Sequence, residues 1–255
     1  MIRFASLGSG SAGNGLLVDD GTTCLLVDCG FSLRETARRL LRLGLTAEQL
    51  DGILVTHEHT DHVSGVFGLA RRHALPVWLS RGTYAACEQA AGDVDCRLVD
   101  SSAPFAVGAL RIEPFQVPHD AREPLQYVFS DGKTRLGLLT DTGEINPGMR
   151  QMLDGCDGLV LECNHDADML AGSSYPAFLK RRIAGRLGHL DNRAAVALLA
   201  SIDTSCLRYL VAAHLSASNN CPETVCALLA KALGDTPERV VVACQQRGFD
   251  WLILP

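Results

Sequence analysis

The chain of 255 residues has no apolar run long enough to cross a bilayer; the stretch Ala194 to Ala200 is far too short. It has no Cys-x-x-Cys pair: its ten cysteines are scattered, which argues against a disulfide framework and leaves most of them as reduced, small buried hydrophobes. It has no excess of positive charge either. Lys and Arg number 23 against 29 Asp and Glu, a formal charge of −6, so no global field attracts nucleic acid and any phosphate contact must be local. Linkers, low-complexity tracts and short-period repeats are also missing, and the start MIRFASLGSGSAGNG holds no apolar stretch of signal-peptide length. These absences predict a cytoplasmic protein with no membrane association. The 47% hydrophobic and 20% charged residues sit at globular averages, and the length fits one large domain over 1–255.

Short strands separated by glycine-rich turns are predicted at Ile2 to Leu7, Leu16 to Asp19 and Thr22 to Asp28. Leu33, Ala37, Leu40, Leu41 and Leu43 then recur at helical spacing up to Gly44, with Arg38, Arg39 and Arg42 on the opposite face. Gly52 to Thr56 reads as a buried strand, followed by a His-rich segment and a helix from Val63 to Arg72. Leu110 to Val117, Leu125 to Ser130 and Thr134 to Thr140 read as antiparallel strands, with Asp131-Gly132 as a hairpin turn. Further strands are expected at Asp157 to Glu162, Leu207 to Ala213, Val240 to Ala243 and Phe249 to Leu254, and helices at Tyr175 to Arg186, Leu190 to Ser201 and Pro222 to Leu233. Meander, strand-helix units, meander, strand-helix units: the order predicts two similar halves whose sheets pack face to face with helices outside.

Six consecutive residues after the strand at Gly52 offer three imidazoles and two carboxylates: His57, Glu58, His59, Thr60, Asp61 and His62. Neutral imidazole and carboxylate suit borderline divalent ions such as Zn, Mn or Fe. If the segment stays extended, alternation puts His57, His59 and Asp61 on one side, and a turn into the following helix swings His62 towards a second ion.

THEHTDH resembles the HxHxDH signature of the metallo-β-lactamase superfamily, and the strand ending in Val27-Asp28 resembles the acidic motif that precedes it. The resemblance covers nearly the whole chain and implies an α/β fold, a four-layer αββα sandwich of two mixed sheets. Carried over residue by residue, it implies that His57, His59 and His119 (in VPHD) hold one divalent metal, that Asp61, His62 and His214 (in AAHLS) hold a second, and that Asp141 (in LLTDTG) bridges them. Asp28 would orient the metal loop without binding. Such a pair activates water for hydrolysis, with Asp61 beside it. The carboxylate bridge resembles the phosphodiesterase and nuclease branches; the β-lactamases themselves carry Cys or His in place of that Asp.

Further segments bear on substrate. SLGSGSAGN at Ser6 to Asn14 offers backbone donors and small side chains, either a phosphate cradle through Ser9 and Asn14 or a simple hairpin turn. The stretch from Tyr175 to Asn192 joins a basic helix to a Gly-His turn. Arg181, Arg182 and Arg186 could clamp a phosphodiester and His189 protonate its leaving oxygen, or the helix face could simply be solvated with Asp191 or Asn192 capping the next helix. With LECNHD and HLSASNN, these segments resemble the YycJ/WalJ-like branch, which implies a 5′–3′ exonuclease acting on DNA, with His189 as acid or phosphate ligand and His165, Ser216 and Asn219 as weaker substrate contacts. Cys163 is expected in the core or behind the site.

Two function classes therefore follow for an enzyme: a dinuclear phosphodiesterase trimming DNA or RNA ends, with a homodimer or a partner as a further source of contacts, or a small-molecule hydrolase cleaving a cyclic phosphodiester or a thioester. A third reading, a non-catalytic metal-binding docking protein, fits less well, because structural zinc sites close their coordination with protein ligands whereas this set leaves room for water.

Overall fold

The computed structural model describes residues 1–255. Its first half opens with a meander, β1 (Ile2–Gly8), β2 (Gly15–Asp19) and β3 (Cys24–Val27), then turns to parallel pairing after α1 (Leu33–Arg42) with β4 (Gly52–Leu54). Helices α2 (Thr60–Val63) and α3 (Val66–His73) lead to β5 (Val77–Ser80), α4 (Arg81–Ala91) and β6 (Cys96–Val99). The second half repeats the plan: β7 (Phe105–Val107), β8 (Leu110–Gln116), β9 (Leu125–Ser130) and β10 (Arg135–Leu139) form a meander. Parallel strands β11 (Gly158–Glu162), β12 (Tyr209–Ala213) and β13 (Val240–Val242) follow, with α5 (Pro147–Leu153), α6 (Ala167–Gly172), α7 (Ala177–Ile183), α8 (Asn192–Leu199) and α9 (Pro222–Leu233) between them. The last strand, β14 (Phe249–Leu254), crosses back to pair with β1, so each sheet has seven strands.

Three apolar layers of nearly equal size, 23, 22 and 21 buried residues, hold the fold together. The first packs helices on the outside of one sheet, the second fills the space between the sheets, and the third packs helices on the other. A domain with three such interfaces has four layers. This is the αββα sandwich that the strand-helix order predicts, and no helix in it is long and apolar enough to cross a membrane.

Two local differences from the sequence reading have plain causes. The helix expected from Val63 to Arg72 is broken at Ser64-Gly65, because the chain there presses against the loop after β3: Gly65 N–H donates to Cys29 O at 2.8 Å, and a side chain on Gly65 would strike the carbonyl of Phe31. Between Pro76 and Leu110, where the sequence reading assigns no element, the chain forms β5, α4, β6 and β7. The buried stripe of α4 is Thr83, Cys87 and Ala91, small residues that give a weak hydrophobic period.

A second close approach shapes the site. Gly30 follows β3 and passes so near α2 that a Cβ there would land on the Asp61 carbonyl, while Gly30 N–H donates to Asn14 O at 2.9 Å. Gly30→Ala is expected to cost about 1–3 kcal/mol by overpacking, a fall in Tm of about 2–10 °C for a chain of this size. Because the displaced loop carries Asp28 and α2 carries Asp61 and His62, bound metal should fall with it. Calorimetry with metal analysis on the same sample checks both.

Candidate metal centre

All the acidic and His residues that the sequence assigns to a metal site gather at the carboxyl ends of strands facing the gap between the sheets. Asp28 follows β3, His57 follows β4, His119 follows β8, Asp141 follows β10 and His214 follows β12. Of four non-glycine residues with left-handed backbone, three are Asp28 (φ 60°), Asp141 (φ 52°) and His214 (φ 55°). Such geometry is costly for residues with a Cβ and persists where the surrounding structure enforces it, commonly at functional sites. Each turn lets the chain leave its strand abruptly and aim the side chain into the gap.

The extended run of the HEHTDH segment ends at His59, which caps α2. Asp61 therefore leaves the His57–His59 side expected from alternation and joins His62 on the first helical turn. The outcome is two groups: His57, His59 and His119 on one side, and Asp61, His62 and His214 on the other, the donor atoms of each lying within 4.8 Å of one another. Asp141 meets the second group through His62 Nε2 at 3.1 Å and His214 Nε2 at 3.5 Å, and with His57 and His62 forms a further donor group that links the two.

Hydrogen bonds behind these residues fix which nitrogen faces inward. The Asp28 carboxylate accepts from Thr56 N–H and the Thr56 hydroxyl, both at 2.8 Å, and from His62 Nδ1–H at 2.8 Å. With its proton committed to Asp28, the Thr56 hydroxyl accepts from His57 Nδ1–H at 3.0 Å. His119 Nδ1–H donates to the Gly188 carbonyl at 3.0 Å. Neutral imidazole has one N–H. His57 and His119 therefore turn bare Nε2 lone pairs inward, 3.0 and 3.2 Å from His59 Nδ1.

This is a donor set that fits divalent cations. Three imidazole nitrogens crowd together with at most one proton to share, and two buried atoms, Asp141 Oδ2 and His214 Nε2, have no hydrogen-bond partner. Protonation shows the same demand for positive charge. Burial and the neighbouring His62 hold His57 well below the usual His range, so that it stays neutral. Burial also opposes a charge on His214, yet Asp141, Asp61 and Glu162 outweigh it and push its pKa up to about 10; His62 is raised in the same way by Asp141 and Asp28. Protons on these two rings balance the carboxylates where a cation could.

Sequence reasoning missed Glu162. It ends β11, is fully buried, accepts from Thr142 N–H at 2.8 Å through one oxygen and from His189 Nδ1–H at 2.8 Å through the other. Burial would lower the His189 pKa, but the Glu162 carboxylate reverses this and raises it. His189 thus keeps a proton more readily than a free imidazole, with its ring on the cavity wall. The signal was present in GLVLE, an apolar strand ending in a carboxylate, since such a group is not buried without a partner.

The donor groups open into a cavity of about 510 Å³ lined by Ser11, Glu58, Thr60, Asn164, Ser216, Arg182 and a face of α7, besides the His and Asp residues. Several residues that the sequence suggests as substrate contacts lie elsewhere, which corrects that expectation. Ser9 Oγ accepts from His214 N–H at 2.8 Å, and Asn14 holds the loop through Gly10 and sits 3.0 Å from His62 Nε2; both brace ligand-bearing segments. His165 is buried beside Asn164, Asn219 is buried behind Ser216, and Cys163 lies in the core. Arg181 does not reach the cavity, and Arg186 is spent on a two-point pair with Glu144. Asp191 caps α8. Only Ser216 and Arg182 among those substrate candidates line the cavity. Arg182 gives its Nε–H to Asp120 Oδ2 at 2.7 Å and leaves its terminal nitrogens free.

An αββα sandwich with a His and Asp donor centre between its sheets, open to solvent, defines a class of metal-dependent hydrolases. Residues 23–214 match the Beta-lactamase superfamily domain. The chain is 38% identical over 228 residues to the Exodeoxyribonuclease YycJ of Bacillus anthracis, covering 87% of this chain and 85% of that one. It is 35% identical over 227 residues to the Exodeoxyribonuclease WalJ of Streptococcus pneumoniae, covering 87% and 84%. The metallo-β-lactamase fold protein YhfI of Bacillus subtilis superposes with a TM-score of 0.75 at 16% identity, covering 99% of this chain and 100% of that one. The chain belongs to the metallo-β-lactamase superfamily and, within it, to the branch of YycJ and WalJ.

Proposed function

We propose that the protein is a dinuclear metal-dependent phosphodiesterase that removes nucleotides from DNA ends in the 5′–3′ direction. The observation that carries this reading is the meeting of the two donor groups at the buried Asp141, beside a cavity that Arg182 also lines with its terminal nitrogens unengaged. His57, His59 and His119 would hold one ion, Asp61, His62 and His214 the other, with Asp141 shared; Zn and Mn suit these donors equally, and Fe is compatible. Ions held there supply Lewis acidity and bring the pKa of coordinated water near neutrality. The names of the YycJ and WalJ relatives support DNA as substrate.

The remaining work falls to side chains. Arg182 presents its terminal N–H groups to a non-bridging phosphate oxygen, a charge-assisted contact. His189, whose pKa Glu162 raises against the effect of burial, stands to pass a proton from Nε2 to the leaving oxygen while Glu162 stabilises the imidazolium form. The Ser11, Thr60 and Ser216 hydroxyls supply neutral donors. Arg182→Ala is expected to raise KM for DNA about 10-fold, the order of one charged hydrogen bond, whereas Arg186→Ala should leave it within about two-fold. Steady-state kinetics on both variants separate a phosphate contact from general surface charge.

The test of the reading itself is hydrolysis by Zn- and Mn-loaded protein of end-labelled single-stranded and duplex DNA and RNA, alongside a cyclic phosphodiester and a thioester. Mononucleotides released stepwise from the 5′ end of DNA are the expected result. Turnover of the small esters alone would replace it with a metabolic hydrolase.

A further inference from the structure

Helix α7 buries none of its residues, yet Leu179 and Ile183, four apart, face the cavity together with Tyr175, one turn earlier in the chain. An apolar stripe of this kind ordinarily packs a helix onto its protein. Here it forms one wall of the space above the metal centre, while Ser11, Glu58, Thr60, Asn164 and Ser216 line the rest of it with polar groups. Arg182 stands on the same helix three residues after Leu179, so its free terminal nitrogens and the apolar stripe are neighbours. A cation beside an apolar surface matches the two ends of a nucleotide, its phosphate and its base. The cavity, about 510 Å³ and open to solvent, has room for a single small ligand such as one nucleotide.

We infer that Tyr175, Leu179 and Ile183 are the seat of one unpaired nucleobase at the strand end, that of the nucleotide whose 5′ phosphate Arg182 holds over the metal centre. This rests on the nuclease reading above and adds to it the group that the helix recognises. A base within a duplex stack cannot reach the wall, so the terminal pair must open first, a step that is easiest at a frayed or single-stranded end. The wall itself offers a base apolar surface and the Tyr175 hydroxyl, contacts that discriminate little between bases.

The test is calorimetric binding of deoxyadenosine monophosphate and of 2-deoxyribose 5-phosphate to the metal-loaded enzyme, with DNA hydrolysis followed in parallel. The wild type is expected to bind the nucleotide about 5- to 150-fold more tightly than the sugar phosphate, the range for stacking one base. In Tyr175→Ala/Leu179→Ala this ratio should fall towards 1 with sugar-phosphate affinity and metal content kept; both positions are only partly covered, so the fold should survive. In Arg182→Ala both affinities should fall together and the ratio persist. A wild-type ratio near 1, or a ratio that the double variant leaves intact, overturns the inference even if DNA is cleaved. A base-dependent ratio lost in the double variant upholds it even if DNA is not cleaved, in which case it is the nuclease reading that fails.

Discussion

Asp141→Asn is expected to abolish hydrolysis, by more than about 100-fold, and to lower bound metal while leaving the protein folded. The magnitude follows from comparison: altering a residue that merely supports a metal ligand costs about 10–100-fold in affinity or activity, and Asp141 belongs to the donor groups themselves. It is buried, its Oδ2 has no hydrogen-bond partner, and burial, which favours its neutral form, is outweighed by His214 and His62, so it stays ionised well below the usual carboxylate range. An Asn keeps the shape and removes the charge. The cluster then presents its imidazoles with one negative charge fewer between the two groups. Metal analysis after dialysis, circular dichroism and turnover on one preparation distinguish this from unfolding; full activity with a normal metal content would show that Asp141 does not join the groups.

The second large effect concerns the proton. His189→Ala should lower kcat on DNA by about 10²–10⁴-fold, the usual worth of a positioned general acid, and Glu162→Gln should lower it by less, because the ring remains but loses the carboxylate that raises its pKa. On bis-p-nitrophenyl phosphate, whose leaving group needs no proton, both variants should lose little. Asp141, Glu162, His189 and His214 also form a donor group of their own, so the alternative role for His189 is ligation. Unequal losses on the two substrates with metal content intact mark a proton donor. Equal losses accompanied by missing metal would mark a ligand.

Legibility in the sequence tracked how locally each feature is encoded. The HEHTDH donors are consecutive, so their chemistry can be read without any fold. His119, Asp141 and His214 come from three different strands, and single residues of that kind are ambiguous until the sheets align their ends; the family resemblance supplied them. Asp28 could be read in its supporting place for the same reason, though not that it bonds Thr56 and His62 at once. Glu162 stayed hidden because its partner His189 is 27 residues away, across α6 and α7. Among the small residues of the SGSAG loop, sequence could not tell Ser9, which braces His214, from Ser11, which lines the cavity. The three arginines looked alike until the fold placed Glu144 against Arg186. Strands and helices with large apolar residues were mostly read within a residue or two, whereas α4, with its stripe of Thr, Cys and Ala, was not. β5 and α5 were missed for another reason: they bury large side chains, but each is too short to show a period.

Two donor groups that share one carboxylate are the centre of the functional reading. The most direct test is therefore metal stoichiometry, by inductively coupled plasma mass spectrometry on protein dialysed after Zn or Mn loading, for the wild type, His119→Ala and His214→Ala. Two ions per chain in the wild type, with each variant weakened in one, is the result expected. A single ion per chain in the wild type, retained unchanged in either variant, would contradict it.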